Sequence, residues 1–162
     1  MTGKTYKSGQ VHSLSEAGKP LLVKYDLHAL AANFTKDDLA ARTDGFWRYR
    51  EFLPVTNLEN IVELGEVVTS LMTLPRLAKK CGVDSGAILI KDDSRLPTGS
   101  FKARGLALAV SMAKELGLKH LAMPTNGNAG AAMAAYASRA GLRTTIFCPD
   151  DTPEINVSEI EI

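Results

Sequence analysis

The chain has 162 residues, 45% of them hydrophobic and 23% charged. Those values exclude a disordered chain, and no apolar run approaches the roughly 20 residues of a membrane-spanning helix. Lys and Arg number 19 against 18 Asp and Glu, so nucleic acid or an anionic membrane has no bulk electrostatic support as a partner.

In chain order, residues 1–20 are polar and glycine-containing and read as an irregular arm. The apolar run from Leu21 to Tyr25 predicts a strand, and residues 27–41 have helical composition. Thr43 to Pro54 mixes basic and aromatic side chains and carries Trp47. Leu74 to Lys80 predicts a short helix closed by Gly82. Ala87 to Ile90 is a continuous apolar run, the pattern of a strand buried on both faces of a parallel sheet. Lys102 to Leu116 predicts a helix with Leu106, Val110, Ala113 and Leu116 on one face. Leu121 to Met123 predicts a strand. Ala129 to Ala140 predicts a helix with Ala129, Ala132, Met133, Tyr136, Ala137 and Ala140 facing inward, and Thr145 to Cys148 a further strand. A helix start is expected after Pro153. Alternating strands and helices with short connections imply an α/β fold with a twisted, mainly parallel sheet.

Two glycine-containing turns each follow a strand and precede a helix, where α/β sheets bind ligands. They are Pro97 to Lys102 and Thr125 to Gly130, and neither matches a nucleotide-binding fingerprint. Lys102 puts a positive charge at a helix start, against the macrodipole. That position and poor solvation both favour a neutral amine, which can condense with an aldehyde. On spacing alone, a surface lysine that happens to follow a turn is favoured. Thr125, Asn126 and Asn128 offer polar side chains and free N–H groups that suit a carboxylate or phosphate. Taken alone, they read as a capping turn. Cys81 and Cys148 lie far apart without metal spacing and suit a reducing compartment. His12, His28 and His120 have no ligand spacing either. The opening MTGKTYKSGQ lacks an export signal's apolar core, so a cytoplasmic location is expected.

Taken together, PTGSFKARG and PTNGNAGAA resemble the two active-site turns of the fold type II pyridoxal-phosphate enzymes. Within that family the chain most resembles the threonine synthase group, through PLLVKYDL, WRYREFLP, LGE, IKDDSRLPTGSFKARG and CPDDTPEINVSEI. The resemblance implies a three-layer α/β sandwich like that of tryptophan synthase β. It implies pyridoxal 5'-phosphate held by Lys102, whose freed amine then moves protons at the substrate's α and β carbons. Phe101 would flank the cofactor ring and Asn128 would hydrogen-bond its hydroxyl oxygen. Thr125, Asn126 and Gly127, with Ser100 as a lesser contributor, would receive the substrate carboxylate. The reaction implied is O-phosphohomoserine plus water to threonine plus phosphate, in a cytoplasmic homodimer without nucleic acid or membrane partners. A threonine or serine dehydratase, or a non-catalytic truncated product, stands as the alternative. Arg48, Arg50, Arg95 and Arg104 are conceivable partners for the leaving phosphate and are not assigned.

The sequence departs from that group in three places. Ser15 and Ala17 stand where relatives carry zinc-ribbon cysteines, so no metal site is expected. Val67 and Ser70 replace a common glycine and proline, which puts the shape of that loop in question. The chain is also less than half as long as family members, which suggests truncation and an associating, poorly soluble polypeptide. The expected organisation is an arm over residues 1–41, part of a cofactor-binding domain over 42–116, and the start of a smaller α/β domain over 117–162.

Overall fold

The computed structural model describes residues 3–43 and 45–162. The arm is irregular up to residue 26, and the predicted strand at Leu21 to Tyr25 does not form. Leu22 and Val23 are exposed there, and a five-residue run has nothing to hold it extended without a ladder partner. The helical stretch that follows is two helices, α1 (Leu27–Asn33) and α2 (Lys36–Ala40). Asp26 caps the first through Ala29 N at 2.9 Å. Thr35 and Asp38 form a capping box that starts the second, with Phe34 extended between them.

The basic-aromatic segment forms a 3-10 helix over Phe46–Phe52, kinked at Tyr49, and buries Trp47. Arg42 grips Glu51 through two hydrogen bonds of 2.6 Å. Strand β1 (Leu71–Thr73), α3 (Pro75–Cys81) and β2 (Leu89–Lys91) follow. Proline in the first turn of α3 and Gly82 at φ 69° past its end account for its limits. The strand predicted over Ala87 to Ile90 is shifted and differently placed. It pairs antiparallel with β1, Leu71 opposite Lys91, and both strands are exposed. A short apolar run does not by itself distinguish a doubly buried parallel strand from an exposed antiparallel pair. Val67 has no left-handed backbone, since Thr98 is the only non-glycine with positive φ among the described residues, so valine fits the loop the sequence put in question.

The core lies between α4 (Lys102–Glu115) and α5 (Asn128–Ala140). Strands β3 (His120–Pro124) and β4 (Arg143–Phe147) form a parallel pair, His120 opposite Arg143, and α6 (Glu154–Glu161) lies against α5. The buried face of α4 is Ala103, Ala107, Val110, Ser111 and Ala113. Leu106 and Leu116, predicted inward, are half-buried. Alanines at the contact let the two helices approach closely enough for Tyr136 and Met133 to fill the space between them. Trp47, Val55, Val62 and Leu96 close the same cluster. Buried Ser111 is satisfied on both sides, accepting from Val62 N at 2.8 Å and donating to Ala107 O at 2.7 Å. No helix among the described residues is long and apolar enough to cross a membrane.

Candidate active site

Both predicted turns connect a strand to the start of one of the two core helices. The first runs from a 3-10 turn at Pro97–Gly99 into α4, and Lys102 is that helix's first residue. Thr98 lies at φ 59° and ψ 20°, and Gly99 at φ 65°. Two consecutive left-handed residues are unusual, and for a β-branched threonine the conformation is strained. The start of α4 has no side-chain cap. The hydroxyls of Thr98 and Ser100 are buried and have no hydrogen-bond partner, and Ser100 as a whole is buried. Buried polar groups are nearly always paired, so two orphans beside the predicted lysine mark this turn.

Lys102 is half-buried, with its Nζ 4.6 Å from the centre of the Phe101 ring. That cation–π contact is its one polar interaction among the described residues. Phe101 is 61% exposed, its ring available to a further flat group.

The second turn leaves β3 at Pro124 and enters α5 at Asn128. Thr125 N donates to Phe147 O at 2.9 Å, which ties the turn to the end of β4. Thr125 Oγ1 accepts from Gly127 N at 3.3 Å. Asn126 and Asn128 are exposed, and Gly127 has an extended backbone that any residue can adopt. The glycine the turn requires is Gly130. A Cβ there would come within 2.6 Å of Thr125 Cγ2 and 2.7 Å of Ile160 Cδ1. Thr125 and Asn126 line a cavity of about 450 Å³ with Phe147, Cys148 and Pro149, at the carboxyl ends of β3 and β4. Its Phe147, Cys148 and Pro149 wall was not among the predicted residues, although the rule about carboxyl ends of strands points there.

The structure sets the two helices side by side and packs the 97–99 turn on α5. Lys102 and Ser100 stand at one turn, Thr125 and Asn126 at the cavity of the other, and no hydrogen bond joins the two groups among the described residues. A larger hollow of about 890 Å³ lies elsewhere, between the Phe46–Phe52 helix and the loop at Glu66 to Val68. Three of the four arginines considered for phosphate already have partners. Arg48 donates to Leu39 O at 2.8 Å, Arg50 lies 3.5 Å from Glu51, and Arg104 lies 3.0 Å from Asp93. Sequence reasoning did not identify Asp93 as a partner for Arg104. Hydrogen bonds from Arg104 and Thr69 hold the Asp93 carboxyl below its ordinary range.

Two further buried polar groups tie α5 to the loop before β1. Tyr136 donates to Glu66, which also accepts from Leu64 N at 3.1 Å. Burial, then the Glu66 hydrogen bond, pushes the Tyr136 phenol upward.

Against known proteins, the family described as pyridoxal-phosphate dependent enzyme matches residues 62–162. Threonine synthase from Methanocaldococcus jannaschii is 34% identical over 148 residues, covering 91% of this chain and 36% of that protein. Threonine synthase from Synechocystis sp. is 46% identical over 102 residues, covering 63% of this chain and 26% of that protein. The chain thus spans about a third or less of the length of these curated relatives. Among solved structures, diaminopropionate ammonia lyase from Escherichia coli, in complex with an aminoacrylate–PLP azomethine reaction intermediate, matches with a TM-score of 0.52. The identity there is 28%, over 61% of this chain and 28% of that one.

Proposed function

The chain belongs to the family of pyridoxal-phosphate-dependent enzymes, and on that premise we propose that it serves a lyase reaction of the threonine synthase type. That reaction converts O-phosphohomoserine and water into threonine and phosphate. The observation that carries the proposal is Lys102, placed at the first residue of α4 beside the exposed Phe101 ring and the unpaired Ser100 hydroxyl.

These residues fit pyridoxal 5'-phosphate. An amine without an ion-pair partner suits an aldehyde, a flat exposed ring suits a pyridine, and an orphaned hydroxyl supplies an unused hydrogen bond. When bound, the cofactor supplies an electron sink. Lys102 would hold it and, once freed, carry protons to and from the α and β carbons of the substrate. Phe101 would flank the ring, and Asn128 would donate to the ring hydroxyl oxygen. Thr125, Asn126 and Gly127 would bind the α-carboxylate at the start of α5, where free N–H groups favour an anion. Ser100 is the lesser contributor to the same task.

We read residues 42–116 as part of a cofactor-binding domain and 117–162 as the start of a smaller one, within a three-layer sandwich of mainly parallel strands. The arm takes up residues 1–41. Support comes from the parallel pair β3–β4, which forms a sheet apart from β1–β2. We place the protein in the cytoplasm as a homodimer. Exposed Leu71, Met72, Leu89 and Ile90 on the β1–β2 pair are consistent with self-association.

The test is to incubate the full chain with pyridoxal phosphate, fix any adduct with borohydride and locate it by peptide mass spectrometry. An adduct at Lys102, lost in Lys102→Ala, is the expected result, and an adduct on other lysines alone overturns the attachment. The likeness to an ammonia lyase keeps a dehydratase as the second reading. Phosphate release from O-phosphohomoserine, against ammonia and oxoacid from threonine, separates the two.

A further inference from the structure

We propose that Arg104 is a positioning residue that clasps the two ends of the 93–104 loop through Asp93 and so holds the Lys102 amine where the cofactor is captured. The proposal rests on the reading of Lys102 given above.

Arg104 Nη2 lies 3.0 Å from Asp93 Oδ1, and its Nε donates to Oδ2 at 3.4 Å. The same Nη2 donates to Thr69 Oγ1 at 3.2 Å, and that hydroxyl donates to Asp93 Oδ1 at 2.6 Å. Lys91 Nζ adds a hydrogen bond of 2.7 Å to Thr69 O. Thr69 is buried, so the clasp is anchored in the fold. With about 3.6 residues per turn, a residue two positions on lies on the opposite side of the helix. Arg104 therefore acts from behind Lys102 and leaves the amine's own surroundings open.

The clasp encloses the strained part of the loop. Thr98 and Gly99 are both left-handed, and no side chain caps the start of α4. A strained backbone persists only where its surroundings over-determine it. Leu96, buried in the core, fixes the middle of the loop. The ion pair fixes its two ends, and Lys102 sits two residues from one of them. Asp93 is held ionised by the same contacts, so the clasp is a charged one.

The test uses the full chain with Arg104→Gln, Arg104→Lys and Asp93→Asn. Without cofactor, the rate of Lys102 acetylation by acetic anhydride is measured against that of exposed Lys80 in the same molecule, with thermal melting alongside. Separately, the concentration of pyridoxal phosphate giving half-maximal borohydride-fixed adduct at Lys102 is determined. A misplaced reacting group loses on the order of tenfold or more, so Arg104→Gln is expected to raise that concentration by about tenfold. It is also expected to change the Lys102-to-Lys80 ratio. Arg104→Lys, which keeps the charge without the fork, is expected to recover part of the capture. If Arg104→Gln loses its fold, Asp93→Asn decides by the same two readings, because it keeps the shape and removes the charge. Lower melting with both readings unchanged makes the clasp merely structural and overturns the proposal. Absence of adduct at Lys102 in the unaltered chain overturns instead the reading of Lys102 itself.

Discussion

The turn before Lys102 and the turn before Asn128 both lead a strand's end into a core helix, yet they are held by different physics. The first is strained and polar: Thr98 and Gly99 are left-handed, two buried hydroxyls lack partners, and the Asp93–Arg104 pair closes the loop. The second is relaxed and steric. Gly127 is extended, and the turn is set by Gly130 admitting Thr125 and Ile160 against the helix. Strain with unpaired groups is a mark of a site kept for chemistry, whereas close packing around a glycine is a mark of one kept for shape. On the function proposed above, the first turn would serve covalent capture and the second anion binding.

Four experiments test this contrast, the most damaging substitution first. Lys102→Ala is expected to abolish adduct formation at the first turn while leaving the melting temperature nearly unchanged, since the side chain has no polar partner beyond Phe101. Next comes Gly130→Ala at the second turn. Overpacking costs about 1–3 kcal/mol, and the helix-propensity gain of alanine over glycine returns at most about 1 kcal/mol. A net loss in urea unfolding is therefore expected, and an unchanged midpoint would show that Ile160 and Thr125 give way freely.

Thr98→Gly acts in the other direction. Relief of the left-handed threonine is worth about 1–2 kcal/mol, partly offset by about 0.4–1 kcal/mol from the looser unfolded chain. A small gain in stability with weaker cofactor capture is expected. A stability loss would mean that the Thr98 hydroxyl is paired in solution.

The smallest effect is that of acid on the clasp. Arg104 and Thr69 depress the Asp93 carboxyl, so its contribution is present above the unfolded value of about 3.9 and is lost as pH falls through the lower folded value. Glu115 behaves alike: burial opposes its ionisation, but hydrogen bonds from Asn57, Thr56 and Asn60 outweigh burial. Melting followed from pH 6 down past about pH 4 is expected to show a decline that Asp93→Asn makes shallower. A decline identical in that variant would remove Asp93 from the acid response.

Much of the second half was legible because its signals are local. The predicted helix over Lys102 to Leu116 appears as Lys102–Glu115, and that over Ala129 to Ala140 as Asn128–Ala140. Gly117 and Gly141 end them with left-handed backbones. Thr35-x-x-Asp38 carried an equally local capping signal that divides residues 27–41 into two helices, though composition alone read them as one. The apolar run from Leu21 to Tyr25 forms no strand, and β2 is exposed, because an apolar run does not specify its partner.

The two turns, the lysine at a helix start and the likeness to a cofactor-dependent family are legible in the chain alone, because each depends on residues close together in it. Tertiary structure decided which groups meet across 11 to 70 positions. It paired Thr69 with Asp93, set Tyr136 against Glu66, and joined Arg104 to the Asp93 carboxylate. Such pairings arise only when packing brings distant segments together and burial requires each charge to find a partner.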